Sequence, residues 1–475
     1  MRQRSGWVLL LRSLSRKRKL LAQGIAGSLV WTAARVSVPL LVGLAIDRGL
    51  EKHRISTLLW YAGAIAVVGV VQGVSGGVRR YHAMEVAYGV ETDLRHRLFA
   101  HLQRLHFAFH DQAQTGQLMS RSASDLQQVS ELVANGPISV ASVVTGIVVA
   151  TVLLVTNPLL AAVALAPLAV MAFYVVRFTH RMQPAAMQLQ QELGELATVA
   201  EEAITGVRAV KGFGAERGVM GSMRDRAGSV YEKALRTIAL RSGFTPLVTL
   251  LPAAGLAGVL WLGGHLVLKG QLQYGQLVEV CAYVQLLVGP LTQLGYVAGV
   301  LPRALASCER VDEILSLAPV ITDPPRAVSL PAEGGEVRFE GVSFSYGSEA
   351  VLDGFDLTVR DGESVALVGA TGSGKTTVAR LLPRFYDVDA GRVTIAGTDI
   401  KRVQLADLRR AVGIVFEDTF LFSDTIRANI AFAEPEASGE RVRRAAALAG
   451  AEFIEQLPDG YDTLLGERGL SLSGG

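Results

Sequence analysis

The longest charge-free stretch of the chain limits its fold more than any other feature. No aspartate, glutamate, lysine or arginine occurs from Leu132 to Val176, and a second such run extends from Ile55 to Val78. A helix that crosses the apolar core of a bilayer, about 30 Å thick, needs about 20 apolar residues. The first run therefore predicts two membrane-spanning helices that meet at a turn at Asn157-Pro158, and the second predicts one. Buried helices of a soluble protein are the alternative, but such helices rarely lack charges over this length.

The same pattern extends over the first two thirds of the chain. Half of all residues are hydrophobic and the mean hydropathy is +0.34, which is too apolar for an ordinary soluble enzyme. The predicted spans are residues 20–46, 55–78, 133–156, 158–178, 244–268 and 275–301. Leucines at helical spacing in residues 86–109 indicate that the spans continue as helices beyond their apolar cores.

The distribution of basic residues predicts an orientation. Residues 1–19 contain lysines and arginines but no acid, a pattern that keeps a terminus on the cytoplasmic side. The segment lacks the apolar run and cleavage site of a signal peptide, so we expect the N-terminus to be retained. The long connections 79–131 and 179–243 then lie in the cytoplasm of a multi-pass protein of the cell (plasma) membrane. The net charge of +3 predicts no binding of nucleic acid.

Prolines and glycines mark a linker before a second domain. Pro324-Pro325 and Gly334-Gly335 break any helix within residues 318–335. Beyond the linker the pattern changes to short apolar runs that predict strands, of which the second is expected to be buried. The predicted strands are Val337–Phe344, Ser364–Gly369, Val393–Ile395 and Gly413–Phe416.

The order of these elements predicts the fold class. Strand, glycine loop and helix in succession are typical of an α/β nucleotide-binding sheet. We therefore expect a multidomain protein with an all-α, six-helix transmembrane domain over residues 1–317 and an α/β P-loop nucleotide-binding domain over residues 336–475. The transmembrane helices are expected to have long cytoplasmic extensions.

One short motif carries the chemistry. Residues 369–376, GATGSGKT, fit the phosphate-loop pattern GxxxxGK[ST], directly after the predicted strand and before the predicted helix Thr377–Leu382. Its glycines allow backbone N–H groups to converge on a phosphate at a helix N-terminus. Lys375 would bridge the β- and γ-phosphates of ATP, and the Thr376 hydroxyl would bind Mg²⁺. A purely structural glycine turn is the alternative.

Further motifs surround this loop in a fixed order, and others lie in the helical part. They are Phe344–Tyr346, Val415–Phe422, Leu465–Gly469, Leu472–Gly475, Asp93–Leu102, Thr115–Arg121 and Arg310–Leu315. Together they resemble the ATP-binding cassette (ABC) transporters, and in particular the exporter branch, in which membrane and nucleotide-binding domains are fused. The resemblance covers nearly the whole chain.

The resemblance implies roles for individual residues. Tyr346 is similar to the aromatic residue that stacks on adenine, although a tyrosine packed in the core at a strand end is the alternative. Ser473, Gly474 and Gly475 match the signature that contacts the γ-phosphate held by the partner subunit. The nucleotide-contacting residues are then Tyr346, Gly369, Ala370, Thr371, Gly372, Ser373, Gly374, Lys375, Thr376, Thr377, Ser473, Gly474 and Gly475.

One position departs from the family pattern. Glu417 stands where the family usually has a glutamine that binds Mg²⁺ and contacts the attacking water. A carboxylate can still bind Mg²⁺, but it adds negative charge near the γ-phosphate. We expect Thr376 and Glu417 to hold the metal, and Lys375 and Glu417 to act in catalysis, at a site that is either tolerant of the change or slowed by it.

The cytoplasmic connections and one membrane arginine also have expected roles. Residues 110–118 and 206–215 lie where the family has short coupling helices that dock on the nucleotide-binding domains. Arg35 lies about 24 Å along a helix from Lys19, near mid-membrane, where a charge normally faces protein or a water-filled cavity. For Arg35, a hydrogen bond between helices and a contact with the substrate are equal alternatives. Glu279 is expected near the outer surface.

The family implies ATP-driven export of an unidentified substrate by a dimer in which this chain is one half-subunit. The second half-transporter, the lipid bilayer, the substrate, ATP and Mg²⁺ are its expected partners. An exporter-like importer of small chelates or vitamins, and an ATP-gated membrane protein that transports nothing, are the alternatives. The sequence ends at Gly475, before the family's acidic strand and switch histidine, so we expect a truncated copy that binds MgATP weakly and does not hydrolyse it efficiently.

Overall fold

The structure is a computed structural model that describes residues 2–330, 335–417 and 420–466, without the side chains of residues 2–5. The chain divides into two compact units, residues 1–320 and residues 321–475. The described part of the first unit is helical. That of the second contains a four-stranded sheet and short helices, so the predicted fold class is confirmed.

Long helices joined by short turns form the first unit. They are α1 (Arg2–Arg16), α2 (Arg18–Ala45), α3 (Ile55–Leu102), α4 (Phe107–Gln112), α5 (Thr115–Ser120), α6 (Leu126–Thr156), α7 (Pro158–Thr205), α8 (Val207–Phe213), α9 (Glu216–Leu268) and α10 (Tyr274–Leu315). Six of them, α2, α3, α6, α7, α9 and α10, are long and apolar enough to cross a membrane. The six predicted helices are confirmed, and each is longer than its apolar core.

The turn at Asn157-Pro158 shows how the sequence sets a helix boundary. The Asn157 side chain accepts hydrogen bonds from the backbone N–H groups of Leu159 (3.0 Å) and Leu160 (3.1 Å), which caps α7. Pro158 occupies the first helical position, where a missing N–H costs nothing. The chain therefore ends α6 and starts α7 within one residue.

Apolar packing holds the helices of the first unit together. One core cluster includes Val149 on α6, Leu168 and Met171 on α7, Val259 on α9 and Val284 on α10. The rings of Phe178 on α7 and Phe244 on α9 stack with centroids 3.8 Å apart. The two helices thus run antiparallel in close contact over the apolar length of α7.

Buried polar groups pin α10 near its first turn. A π-helical segment, Ile46–Leu50, extends α2, and its buried Asp47 accepts a hydrogen bond of 2.5 Å from the Gly275 N–H. Glu279, one turn further along α10, is also buried. The Tyr283 hydroxyl donates to the Val36 carbonyl oxygen at 2.9 Å. Glu279 thus lies near the start of α10 with its side chain buried in protein, and its expected place at the outer surface of the membrane stays a prediction.

The second unit is built around an antiparallel sheet. Its strands are β1 (Val337–Tyr346), β2 (Glu349–Val359), β3 (Ala390–Ile395) and β4 (Thr398–Asp399), in the order β2-β1-β3-β4. The helix α11 (Lys375–Leu381) lies between β2 and β3 in the chain, and β4 is followed by α12 (Leu405–Ala411), α13 (Ile426–Ile430) and α14 (Gly439–Leu448). Phe339, Val342 and Phe344 of β1 are buried, and the alternation that the sequence predicts is interrupted by a register shift between the first two.

Two predicted strands are wrong. Ser364–Gly369 and Gly413–Phe416 have no strand structure, and Val368 and Val415 are each 93% exposed. The physical reason is that a strand exists only where a neighbour completes its hydrogen bonds. Within the described ranges, neither segment is paired in the sheet or in an isolated bridge.

Candidate functional site

The phosphate loop is an exposed turn fixed at its end to the sheet. Residues 361–373 are all exposed, while Gly374 is buried. Gly372 and Gly374 have φ angles of +86° and +87°, which side-chain-bearing residues rarely adopt. A Cβ on Gly374 would also lie 2.9 Å from the Leu352 side chain of β2. These glycines therefore let the chain turn sharply into α11 while its backbone stays open to a ligand.

Lys375 places its ammonium group inside the loop. Its Nζ donates hydrogen bonds to the carbonyl oxygens of Gly369 (2.9 Å) and Ala370 (2.7 Å) and lies 3.4 Å from the Ser373 hydroxyl. The loop thus has a cation at its centre and the N-terminus of α11 at its base, an arrangement that suits phosphate oxygens. The residues fit the triphosphate of a nucleotide, with Thr376 exposed beside them.

Tyr346 lies next to the phosphate loop. The Thr377 hydroxyl donates to the Tyr346 hydroxyl at 3.4 Å, so the end of β1 and the start of α11 meet. The Tyr346 ring contacts Phe344 and Tyr386 edge-to-face, with centroids 4.8 and 5.2 Å apart, and is half-buried. The structure therefore brings this predicted site residue to the loop, with part of its ring already packed.

Glu417 is exposed, and the segment before it packs near the end of α11. The Phe416 ring stacks on Phe385 with centroids 6.2 Å apart. Arg409 lies over the same Phe385 ring at 5.6 Å, and burial lowers the pKa of Arg409. Among the residues that the structure describes, Glu417 makes no ion pair or side-chain hydrogen bond. The structure does not bring it into contact with Lys375 or Thr376.

The predicted signature, Ser473, Gly474 and Gly475, lies outside the described residues. The segment just before it is described. Leu465 is buried, and its N–H donates to the Asp424 carbonyl oxygen at 3.0 Å. This contact joins the chain after α14 to the residues before α13.

A cavity of about 540 Å³ lies among α7, α9 and α10 in the helical unit. Apolar and aromatic side chains line it together with neutral polar ones and one arginine. They include Phe178, Met182, Gln183, Phe244, Tyr296 and Arg303. The hydroxyl of Tyr296 is hydrogen-bonded to Glu131 on α6. Ligand cavities are commonly apolar with a few polar groups, so this cavity is a candidate binding site.

Sequence reasoning missed one buried polar centre. Asp125 is buried and accepts hydrogen bonds from Arg310 Nε (2.8 Å) and from the Ser307 hydroxyl (3.1 Å). The pair joins the π-helical turn Arg121–Asp125 to the end of α10. Both partners lie in or next to the motifs around Thr115–Arg121 and Arg310–Leu315, but residues so far apart in sequence give no local signal of their contact.

The predicted coupling segments contain short helices, α4, α5 and α8. Phe213 at the end of α8 is 88% exposed. In the membrane part, Arg35 is half-buried and lies over Trp31, with 4.8 Å between the guanidinium carbon and the ring centroid. Arg79 of α3 lies 4.4 Å from the same ring. Arg35 thus contacts protein, as expected for a charge at this depth.

The sequence matches known families over both units. Residues 21–291 match the ABC transporter transmembrane region, and residues 352–475 match the ABC transporter domain. The chain belongs to the ABC transporter family. It carries both domains of that family in one polypeptide, in the arrangement of exporter half-transporters.

Several curated relatives align with nearly the whole ABC chain. An ATP-dependent lipid A-core flippase of Syntrophus aciditrophicus is 33% identical over 95% of this chain and 74% of its own length. A multidrug efflux ATP-binding/permease protein of Mycobacterium bovis is 36% identical over 99% of this chain and 39% of its own length. A putative multidrug export ATP-binding/permease protein of Bacillus subtilis is 34% identical over 84% of this chain and 69% of its own length.

Family membership assigns the phosphate loop to an ATP-binding domain. The ABC transporter domain binds ATP, so the exposed loop with Lys375 at its centre belongs to an ATP-binding unit. The six long helices belong to a multi-pass membrane domain. The chain is thus an ABC transporter of the exporter type.

Proposed function

We propose that this chain is one half of a dimeric exporter that uses ATP to move a cargo out of the cytoplasm. The observation that carries the proposal is the presence, in one chain, of six membrane-length helices and an exposed phosphate loop centred on Lys375. The relatives named above support it, because three are named as a flippase or as efflux and export proteins.

At the nucleotide site, each group acts by position and charge. Tyr346 would stack on adenine, and the loop backbone with Lys375 would hold the β- and γ-phosphates. Thr376 and Glu417 would hold Mg²⁺, which neutralises phosphate charge when bound. Ser473, Gly474 and Gly475 would contact ATP held by the second subunit. When ATP closes two such sites between the subunits, the membrane helices would open toward the outside of the cell. Hydrolysis of ATP would return them to the starting conformation.

The cavity among α7, α9 and α10 would hold the cargo. The stacked rings of Phe178 and Phe244 offer an apolar surface. The Gln183 amide and the Tyr296 hydroxyl already donate hydrogen bonds within the protein, so they offer acceptor oxygens to a ligand. Among the described residues, none that line it carries a carboxylate. The cavity therefore suits an amphipathic compound without a strong cationic charge. The short helices α4, α5 and α8 would transmit motion to the nucleotide-binding domains.

Transport into inverted membrane vesicles tests the function. We expect the full-length dimeric transporter to translocate a fluorescent phospholipid analogue or another amphiphile only when MgATP is added outside. The Lys375→Ala transporter should translocate neither. Movement in the opposite direction would support an importer, and ATP binding without any movement would support a gated membrane protein. Either result would contradict the export proposal.

The orientation is a separate proposal with its own test. We propose that the N-terminus and the nucleotide-binding domain are cytoplasmic, so Lys52 and Gln271 lie outside and Gln112 and Glu216 inside. Single cysteines at these positions, in a chain without Cys281 and Cys308, report their side by reaction with an impermeant thiol reagent. Labelling of position 112 or 216 from outside intact cells would overturn the orientation.

A further inference from the structure

A basic pocket lies between α7 and α9, apart from the cargo cavity. Its volume is about 420 Å³, and His180, Arg181 and Gln188 of α7 face Arg236 and Leu240 of α9 across it. In the part of the chain that the structure describes, no acidic residue lines it. Within the described ranges, neither arginine makes an ion pair or a hydrogen bond. The pocket therefore concentrates positive charge that the protein itself does not neutralise.

The depth of the pocket places it at a membrane surface. The charge-free run ends at Val176, and Arg181 lies about 35 Å along α7 from Pro158, at 1.5 Å per residue. That distance is slightly more than the apolar thickness of a bilayer, about 30 Å. Arg181 thus lies where lipid headgroups begin, on the side away from the Asn157 turn.

An exposed apolar strip leads from the membrane interior to this pocket. Val170, Phe173 and Tyr174 are 53%, 68% and 41% exposed. Residues spaced by three, four or seven positions share a helix face, so these three lie on the face of α7 that carries Arg181. A ligand that fills both regions needs an apolar tail along the strip and an anionic group at its end.

We infer that this pocket binds the anionic headgroup of a membrane phospholipid, whose acyl chain lies along Val170, Phe173 and Tyr174. Guanidinium groups match phosphate oxygens in charge and geometry, and basic pockets between membrane helices bind anionic headgroups. The inference needs only membrane insertion. The assignment to the cytoplasmic leaflet rests on the proposed orientation.

Binding of a fluorescent phosphatidylglycerol to the purified transporter in detergent tests the inference without ATP or transport. A phosphatidylcholine with the same chains and fluorophore serves as the neutral probe. We expect the protein to prefer phosphatidylglycerol. Each arginine near a charged lipid surface contributes about fivefold, so Arg181→Gln with Arg236→Gln should weaken its binding about 25-fold and leave phosphatidylcholine binding unchanged.

Two further variants separate charge from fold. Arg217→Gln with Arg224→Gln removes the same charge from α9, at positions 19 and 12 residues before Arg236. This control should change phosphatidylglycerol binding less than twofold. Arg181→Lys with Arg236→Lys should keep the preference, because the charge stays. Matching thermal unfolding of all variants confirms that the fold is intact.

Three results would overturn the inference. Unchanged phosphatidylglycerol binding in the double glutamine variant would place the lipid elsewhere. Equal competition by water-soluble glycerol phosphate would make the pocket a site for small anions. Efficient cross-linking of Gln188→Cys to the second subunit in the assembled transporter would show that protein, and not lipid, covers the pocket.

Discussion

The two units of the molecule differ in how their polar groups are hydrogen-bonded. In the helical unit, each long helix forms its own backbone hydrogen bonds, and the buried Asp125 carboxylate pairs with the partly exposed Arg310. In the nucleotide-binding unit, β1 is hydrogen-bonded to neighbours on both sides, but residues 361–373 are all exposed. One unit is closed by internal contacts, while the other keeps its ligand-binding backbone open.

This difference follows from how the elements form. A helix bonds residue to residue within one segment, whereas a strand depends on a partner that can be distant in sequence. Membrane helices must satisfy every backbone group internally, because lipid offers no hydrogen bonds. A phosphate loop has the opposite requirement, since it binds phosphate through backbone N–H groups that no other part of the protein occupies. We therefore expect substitutions at buried contacts of the helical unit to cost more than those in the exposed segment before Gly369.

The largest effect is expected at the contact between α10 and the turn before α6. Arg310→Ala would leave the buried Asp125 carboxylate with only Ser307 as a side-chain partner. Removing one member of a buried pair costs about 3–5 kcal/mol, and we expect about 2–4 kcal/mol because Arg310 is partly exposed. Unfolding of the helical unit in detergent measures the cost. Arg303→Ala, an exposed site on the same helix, is the control, and an equal effect of both would contradict the account.

A smaller effect is expected at the start of α10. A Cβ on Gly275 would overlap the Gly43 carbonyl oxygen and lie 2.6 Å from the Asp47 carboxylate. Gly275→Ala should therefore cost about 1–3 kcal/mol through overpacking. Gly264→Ala, on α9, has open space for its Cβ and should cost little. Comparison of their unfolding midpoints tests the prediction, which fails when Gly275→Ala is as stable as Gly264→Ala.

The smallest effects on stability are expected at two valines of the nucleotide-binding unit. Val393 of β3 is 1% exposed and Val368 is 93% exposed. Replacing a buried valine by threonine desolvates a hydroxyl, so Val393→Thr should lower the unfolding free energy by about 1–2 kcal/mol. Val368→Thr should change it by less than about 0.5 kcal/mol, as at other surface sites. A cost at Val368 equal to that at Val393 would show that the segment is buried in solution.

The sequence predicted the helical unit better than the nucleotide-binding unit, for the same physical reason. Helix ends at Asn157-Pro158 and near residues 55, 268 and 274 follow from local caps, turns and charge-free runs. The contact between Asp125 and Arg310 could not be predicted, because it depends on the packing of distant helices. The predicted buried strand Ser364–Gly369 is wrong because its apolar sequence specifies no partner.

The candidate site was predictable where its signal is local. The loop and Lys375 follow from a motif of eight residues, and the structure places Tyr346 beside them. The environment of Glu417 depends on a segment whose Phe416 ring stacks on Phe385, beyond the end of α11. Its role, like that of Thr376 and of the signature residues, stays a prediction.

Nucleotide binding by the loop tests the central claim most directly. Titration of the purified chain with fluorescent trinitrophenyl-ATP in the presence of Mg²⁺ measures the affinity. A hydrogen bond to a charged group contributes about 1.5–3 kcal/mol, so Lys375→Ala should bind at least about tenfold more weakly. Arg410→Ala removes an exposed charge from the same unit and should bind as the unaltered chain does. Equal affinity of the Lys375→Ala and unaltered chains would contradict the account, because the loop would then not hold the phosphates.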